Sequence, residues 1–122
     1  MARAALLHYA GGAILQFWCP GCDEAHGPVV ERPDPIAYPG PVWEWNGSLD
    51  RPTIAPSIRV SGTKMTPEAE ARWRQGARLT GDVMERMDTL CHSFVRDGRI
   101  EFLGDCSHAL AGQTVDLPEW EE

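Results

Sequence analysis

At 122 residues, with 43% hydrophobic and 24% charged residues, the chain has the make-up of one ordinary globular domain, which argues against disorder and fibrous architecture. The net charge of −7 and the single lysine, Lys64, weigh against a nucleic-acid partner, because phosphate binding rests on Lys and Arg. No run approaches the roughly 18 apolar residues that cross a bilayer, and Met1 to Leu7 carries only Arg3, too little for a secretory leader, so a cytoplasmic protein with no membrane partner is expected.

In chain order, the first half reads as short strands at 13–18, 26–31, 42–46 and 57–60, punctuated by Pro33, Pro35, Pro39, Pro41, Pro52 and Pro56, which forbid long helices. The stretch 33–41 reads as an ordered surface strap, and Asn46-Gly47 as a tight turn in which both residues tolerate positive φ. Thr66-Pro67-Glu68 then opens a helix expected to run to about Ala77: a hydroxyl caps a free amide, proline fits the first helical position, and an acid faces the positive helix end. Leu79, Val83, Met87 and Leu90 continue at helical spacing with Asp82, Glu85, Arg86 and Asp88 on the other faces, which predicts a second helical stretch with its apolar stripe against the core. The nearby Arg72, Arg74 and Arg78 are interleaved with Glu68, Glu70, Asp82 and Glu85 and read as a solvated mixed-charge face.

From Cys91 the chain returns to β structure. Asp97-Gly98 between apolar and β-branched residues predicts a two-residue hairpin pairing Arg96 with Arg99, Val95 with Ile100, Ser93 with Phe102 and Cys91 with Gly104. Residues 113–117 add a further strand before a frayed acidic end. The expectation is a single domain over 1–122 of α+β, mainly β class: a small zinc-stabilised antiparallel sheet with a helical insertion around residues 67–89.

Cys19-Pro20-Gly21-Cys22 has the spacing at which two thiolates reach one tetrahedral ion; the same spacing occurs in redox motifs, but those open a helix after a strand. With side chains alternating along the hairpin, Cys91, Ser93, Val95, Ile100, Phe102, Gly104 and Cys106 share one face, so Cys91 and Cys106 form a second thiolate pair. A structural zinc held by Cys19, Cys22, Cys91 and Cys106 follows, with His26 and His108 as alternates for one thiolate. Disulfides and four unrelated thiols are the competing readings of the cysteines. His92 points to the opposite hairpin face and is the weakest candidate ligand.

The strings Trp43-Glu44-Trp45-Asn46-Gly47, Arg51-Pro52-Thr53 with Pro56-Ser57-Ile58, and above all Cys91 to Gly98 and Gly104 to Val115 resemble a family of small phage and prophage metal-binding proteins, often mislabelled ammonia monooxygenase. More distantly, a cysteine knuckle, a Pro-Ser-Ile segment and a Cys-x-Ser strand entering a basic-Gly turn are similar to the peptidases of bacterial ubiquitin-like conjugation operons. That similarity implies Cys19, Cys22 and Cys91 as metal ligands and marks Ser57 and Ser93 for testing. Those peptidases carry a histidine directly after the serine where this chain has Phe94, which turns attention to His92 or His108 as the base.

A serine nucleophile needs a base within hydrogen-bond reach and a third group to orient that base; Ser93, His108 and Asp105 are one candidate set, with Ser57 and His92 as further candidates. Ser93 has a plainer reading as a packing residue beside the metal, and Ser57 as a turn or strand-start residue. Three functions follow: a phage- or prophage-encoded zinc-binding accessory module with a protein partner, presenting Trp43, Trp45 or Trp120; a peptidase-like hydrolase acting on a protein or ubiquitin-like tail; and a metal-dependent hydrolase with an open zinc position near His26 or His108. The accessory module is the leading expectation, with the peptidase second.

Overall fold

The computed structural model describes residues 2–81 and 83–121, the side chain of Arg78 excepted. Met1, Asp82 and Glu122, read above as part of a leader test, a helix face and the acidic end, lie outside the described residues. The described chain is mainly antiparallel β with one short α-helix.

The first sheet is built on β2 (Gly12–Cys19), whose residues Gly12 to Phe17 pair with the whole of β1 (Ala4–Tyr9). At its far end β2 pairs with β3 (Glu24–His26), and at its near end with β4 (Val29–Glu31). The expected strand at 26–31 is therefore two strands with a break at Gly27-Pro28, where proline has no amide to give a ladder. β1 is not foreseen from the sequence; Ala10 at φ 48° and Gly11 at φ 87° form the tight turn that folds it back onto β2.

The second sheet runs in the order β5 (Glu44–Trp45), β6 (Ile54–Met65), β7 (Arg86–Arg96), β8 (Arg99–Phe102), β9 (Thr114–Asp116). The predicted Asp-Gly turn is present, with Asp97 at φ 52° and Gly98 at φ 77°, and Arg96, Val95 and Ser93 stand opposite Arg99, Ile100 and Phe102 as expected. The ladder stops at Ser93–Phe102, however, so Cys91 does not face Gly104 across it. Thr66 caps the helix α1 (Pro67–Arg74) through its hydroxyl, which accepts from the Ala69 amide at 3.2 Å. The helix ends three residues before the expected Ala77, and a single 3-10 turn (Ala77–Leu79) follows.

The second half of the expected helical insertion is wrong. Met87 and Leu90 lie on β7, where Lys64 and Ser61 of β6 are their ladder partners, and Leu79 and Val83 are 80% and 83% exposed instead of facing the core. Helical spacing of four apolar residues was overridden because β6 offers a continuous row of backbone partners from Val60 to Met65 that a helix at 86–90 would leave unpaired. The charged face is as read: Arg72 meets Glu85 at 2.9 Å and Arg74 meets Glu70 at 2.6 Å, in solvent-exposed pairs.

One core joins the sheets: Leu15 and Phe17 of β2 pack with Ile54 and Ile58 of β6, Val95 of β7, and Ile100 and Phe102 of β8. Burial of each such side chain contributes on the order of 1.5–3 kcal/mol. Trp43 and Trp45 are half-buried against this core. Among the described residues the chain is held as far as Trp120: Leu117 is buried and the Trp120 amide donates to the Ala2 carbonyl at 3.0 Å.

Candidate functional site

The knuckle is the turn between β2 and β3. β2 delivers Cys19, the Asp23 amide closes the turn on the Cys19 carbonyl, and the Cys22 amide points at the Cys19 sulfur at 3.4 Å. β3 then returns antiparallel and sets His26 opposite Phe17, buried edge-on against that ring at 5.7 Å. Cys91 arrives from β7 on the other sheet, with its sulfur 3.9 Å from that of Cys19. One ligand atom from each of Cys19, Cys22, His26 and Cys91 lies within 4.8 Å of the other three, a set that could hold a metal ion. All four cysteines are free thiols, so the disulfide reading finds no bridge here.

Cys106 falls outside that group. After Phe102 the chain turns, the Cys106 amide bonding the Leu103 carbonyl at 3.2 Å, so Cys106 never takes the diagonal strand position expected of it. Its sulfur instead meets the backbone amide and carbonyl of His92, each at 3.2 Å, in a smaller cluster with Cys91 and His108. His108 packs edge-on to Phe102 at 4.4 Å and lies so close under Gly21 that a Cβ there would have no room. Its Nδ1 accepts the Leu110 amide at 3.2 Å, so in the neutral ring the proton sits on Nε2, which is then a donor and not a ligand atom.

The donor chemistry fits a borderline-soft cation. Three thiols and one imidazole converge, and Nε2 of His26 is buried with no hydrogen-bond partner. Without a cation the sulfurs cannot ionise together. Cys19 is pulled down to about 4, chiefly by the Cys91 hydrogen bond and despite its burial. Cys22 is pushed up to about 12 by burial and then by the charge on Cys19, and Cys91 is pushed up by its bond to Cys19 and by burial. Protons on Cys22 and Cys91 must leave when a metal enters, whereas Cys19 is already ionised above about pH 4. Metal binding at pH 7 should therefore release about two protons per ion, and affinity should climb about a hundredfold per pH unit. Calorimetric titration in buffers of different ionisation enthalpy checks this; release of no protons would contradict the assignment of these donors.

On the opposite face of β7, one residue beyond Cys91, a second group assembles. β6 and β7 pair Arg59 with His92, which sets Ser57 diagonally across the ladder from His92. His92 Nε2 lies 3.1 Å from Ser57 Oγ, and His92 Nδ1 lies 3.3 Å from a carboxylate oxygen of Asp105. The Ser57 carbonyl also accepts from the Trp43 indole at 3.2 Å, which ties its backbone to the segment leading into β5. The His92 side chain is 27% exposed, so the imidazole is shielded on one side and reachable from the other.

The sequence set of Ser93, His108 and Asp105 does not come together. Ser93 is buried on the inward face with its hydroxyl unpartnered, and Asp105 turns to His92. The sequence named Ser57, His92 and Asp105 singly but not as a group, since Ser57 and His92 are 35 residues apart and meet only through the β6–β7 register.

A family model described as bacterial ubiquitination-like system serine protease (BubE) matches residues 3–103, a span that contains Ser57 and His92 and stops two residues short of Asp105. No curated protein and no solved structure matches the chain. Because the family model spans most of its length, the chain belongs to the BubE family, the serine proteases of bacterial ubiquitination-like systems.

Proposed function

We propose that the chain is a serine peptidase in which Ser57 is the nucleophile, His92 the general base and acid, and Asp105 the group that orients His92. The supporting observation is the pair of contacts on one imidazole, 3.1 Å from Nε2 to Ser57 and 3.3 Å from Nδ1 to Asp105, the order of roles in a serine triad. His92 Nε2 takes the Ser57 proton as Oγ attacks the scissile carbonyl, then returns it to the leaving amine; water attacks the acyl-serine in a second, equivalent round. Asp105 fixes the tautomer by accepting from Nδ1–H and stabilises the imidazolium.

The family assignment favours this reading over the accessory module, and it favours a protein substrate, in keeping with the open sheet face on which Ser57 and His92 sit. A tail of a ubiquitin-like protein in a bacterial cytoplasm is the substrate class proposed.

A zinc ion on Cys19, Cys22, His26 and Cys91 is the second part of the proposal, replacing Cys106 by His26 in the expected set. Bound there, such an ion would be a structural cross-link, since four protein donors leave no position for a reactive water. Cys91 would then anchor β7, and the neighbouring residue His92 would be held against Ser57. This favours the serine mechanism over a metal-bound hydroxide, because the four donors and the serine lie on opposite faces of β7.

A fluorophosphonate probe tests the nucleophile. The expected adduct, located by tandem mass spectrometry, is on Ser57 in the wild type, and is lost in Ser57→Ala and His92→Ala; an adduct on Ser93 would overturn the assignment.

A further inference from the structure

Arg59 stands out by what it lacks. Every other arginine whose side chain is described donates to a carboxylate, carbonyl or hydroxyl, whereas Arg59, among the described residues, has neither a hydrogen bond nor an ion pair. It is exposed, and it sits on β6 directly opposite His92. Side chains alternate along a strand, so Arg59 emerges on the same face as Ser57, about 7 Å further along. In a chain of net charge −7 it is a cation near the nucleophile that no carboxylate among the described residues pairs, the Asp105 carboxylate being engaged at His92 Nδ1.

Its position also has a direction. In the triad chemistry the imidazole passes the serine proton to the leaving group, so the leaving group lies on the His92 side of Ser57. Arg59 faces His92 across the ladder and is on that side. From there a cleft of about 460 Å³ continues along β6 and β7, lined by Arg59, Ser61, Thr63, Leu90 and Ser107. Ser61, Thr63 and Ser107 bring hydroxyl groups to its walls. Asp88, the acid in the same cleft, pairs with Thr63 in the ladder, four residues beyond Arg59 and about 13 Å away along the strand, too far to neutralise it.

We infer that Arg59 is a specificity-determining residue that selects substrates carrying a carboxylate just beyond the scissile bond, on the leaving-group side. This rests on the Ser57 mechanism proposed above. The carboxylate is either an acidic side chain or the substrate's own C-terminus. A guanidinium holds either in a charge-assisted pair, and the pairing strengthens binding of the acid over its neutral analogue.

The test compares two acetate esters, 4-acetoxybenzoate and 4-acetoxybenzamide, whose leaving groups differ in carrying a carboxylate or its uncharged amide. The readout is the ratio of kcat/KM for the two, in wild type, Arg59→Ala, Arg59→Lys and Arg59→Glu, each with Ser57→Ala as the blank. The ratio is expected to fall about tenfold in Arg59→Ala, to be partly kept in Arg59→Lys, and to invert in Arg59→Glu, with the wild-type preference weakening as salt is raised. A general loss of structure would lower both rates and leave the ratio in place. Digestion of a mixed peptide library with free or amidated C-termini separates the two sources. Acid enrichment after the cut that survives amidation identifies a side chain, and enrichment lost on amidation identifies the terminus. A Ser57-dependent rate whose ratio is the same in wild type and Arg59→Ala overturns the role of Arg59 and leaves the nucleophile standing. Rates that do not depend on Ser57 overturn both.

Discussion

Replacing Ser57 by alanine is expected to lower kcat/KM on an activated ester by at least about a thousandfold, with His92→Ala falling to a similar level. The two losses should not add in the double variant, because nucleophile and base act as one unit: once Oγ is gone there is no proton for the imidazole to take. Asp105→Asn should cost less, about 10- to 100-fold, since the hydroxyl and the imidazole remain and what is lost is the tautomer and the charge that stabilises the imidazolium. Asp105 is roughly half exposed, which places the expected loss toward the lower end. Ser93→Ala is the informative control. Its hydroxyl is buried without a partner on the face turned away from His92, so its removal should leave the rate unchanged and the fold intact or slightly more stable. Initial rates of ester hydrolysis, with melting curves to show that each variant is folded, decide the matter. Activity surviving in Ser57→Ala, or lost in Ser93→Ala, would move the nucleophile to the other serine.

The second large effect concerns the proposed zinc cross-link between the sheets. A structural zinc contributes on the order of 10–16 kcal/mol of apparent binding energy in small peptides, as much as the whole net stability of an ordinary domain. Cys19→Ala and Cys91→Ala remove one donor from each sheet, and both should release the ion and lower the melting temperature by more than 10 °C. His26→Ala should also release it if the ring is the proposed fourth donor, while Cys106→Ala should keep it, because that sulfur is engaged by the backbone of His92. Metal per chain by elemental analysis separates the two donor sets: retention in His26→Ala together with loss in Cys106→Ala would restore the four-cysteine site. Chelation should also slow ester hydrolysis before the chain unfolds, since freeing Cys91 loosens the strand that carries His92.

The parts of this arrangement that are local were legible in the residues. Asp97-Gly98 set the β7–β8 hairpin because both positions accept positive φ, and the register followed, which correctly placed Cys91, Ser93, Val95, Ile100 and Phe102 on the buried face. Thr66-Pro67 marked the helix start, and the Cys-x-x-Cys spacing marked the knuckle. At 79–90 a period near 3.6 in Leu79, Val83, Met87 and Leu90 suits a helix as well as it suits the observed structure, and only the length of the opposing strand arbitrates. Which side chain joins Cys19, Cys22 and Cys91 was open for a similar reason: His26 and Cys106 are both within reach in sequence, and where β8 ends leaves His26 in that group and Cys106 out of it.

The amino-acid sequence by itself determined the kind of chemistry available: a thiol-rich group, Cys19, Cys22 and Cys91, that could hold a metal ion, and a small set of candidate serines, histidines and one aspartate near the hairpin. Which of these meet was decided by tertiary structure, since the β6–β7 pairing lies between segments separated by a helix and no local signal fixes its register. That register puts Ser57 against His92 on one face of β7 and Cys91 against Cys19 on the other, because consecutive side chains of a strand point opposite ways.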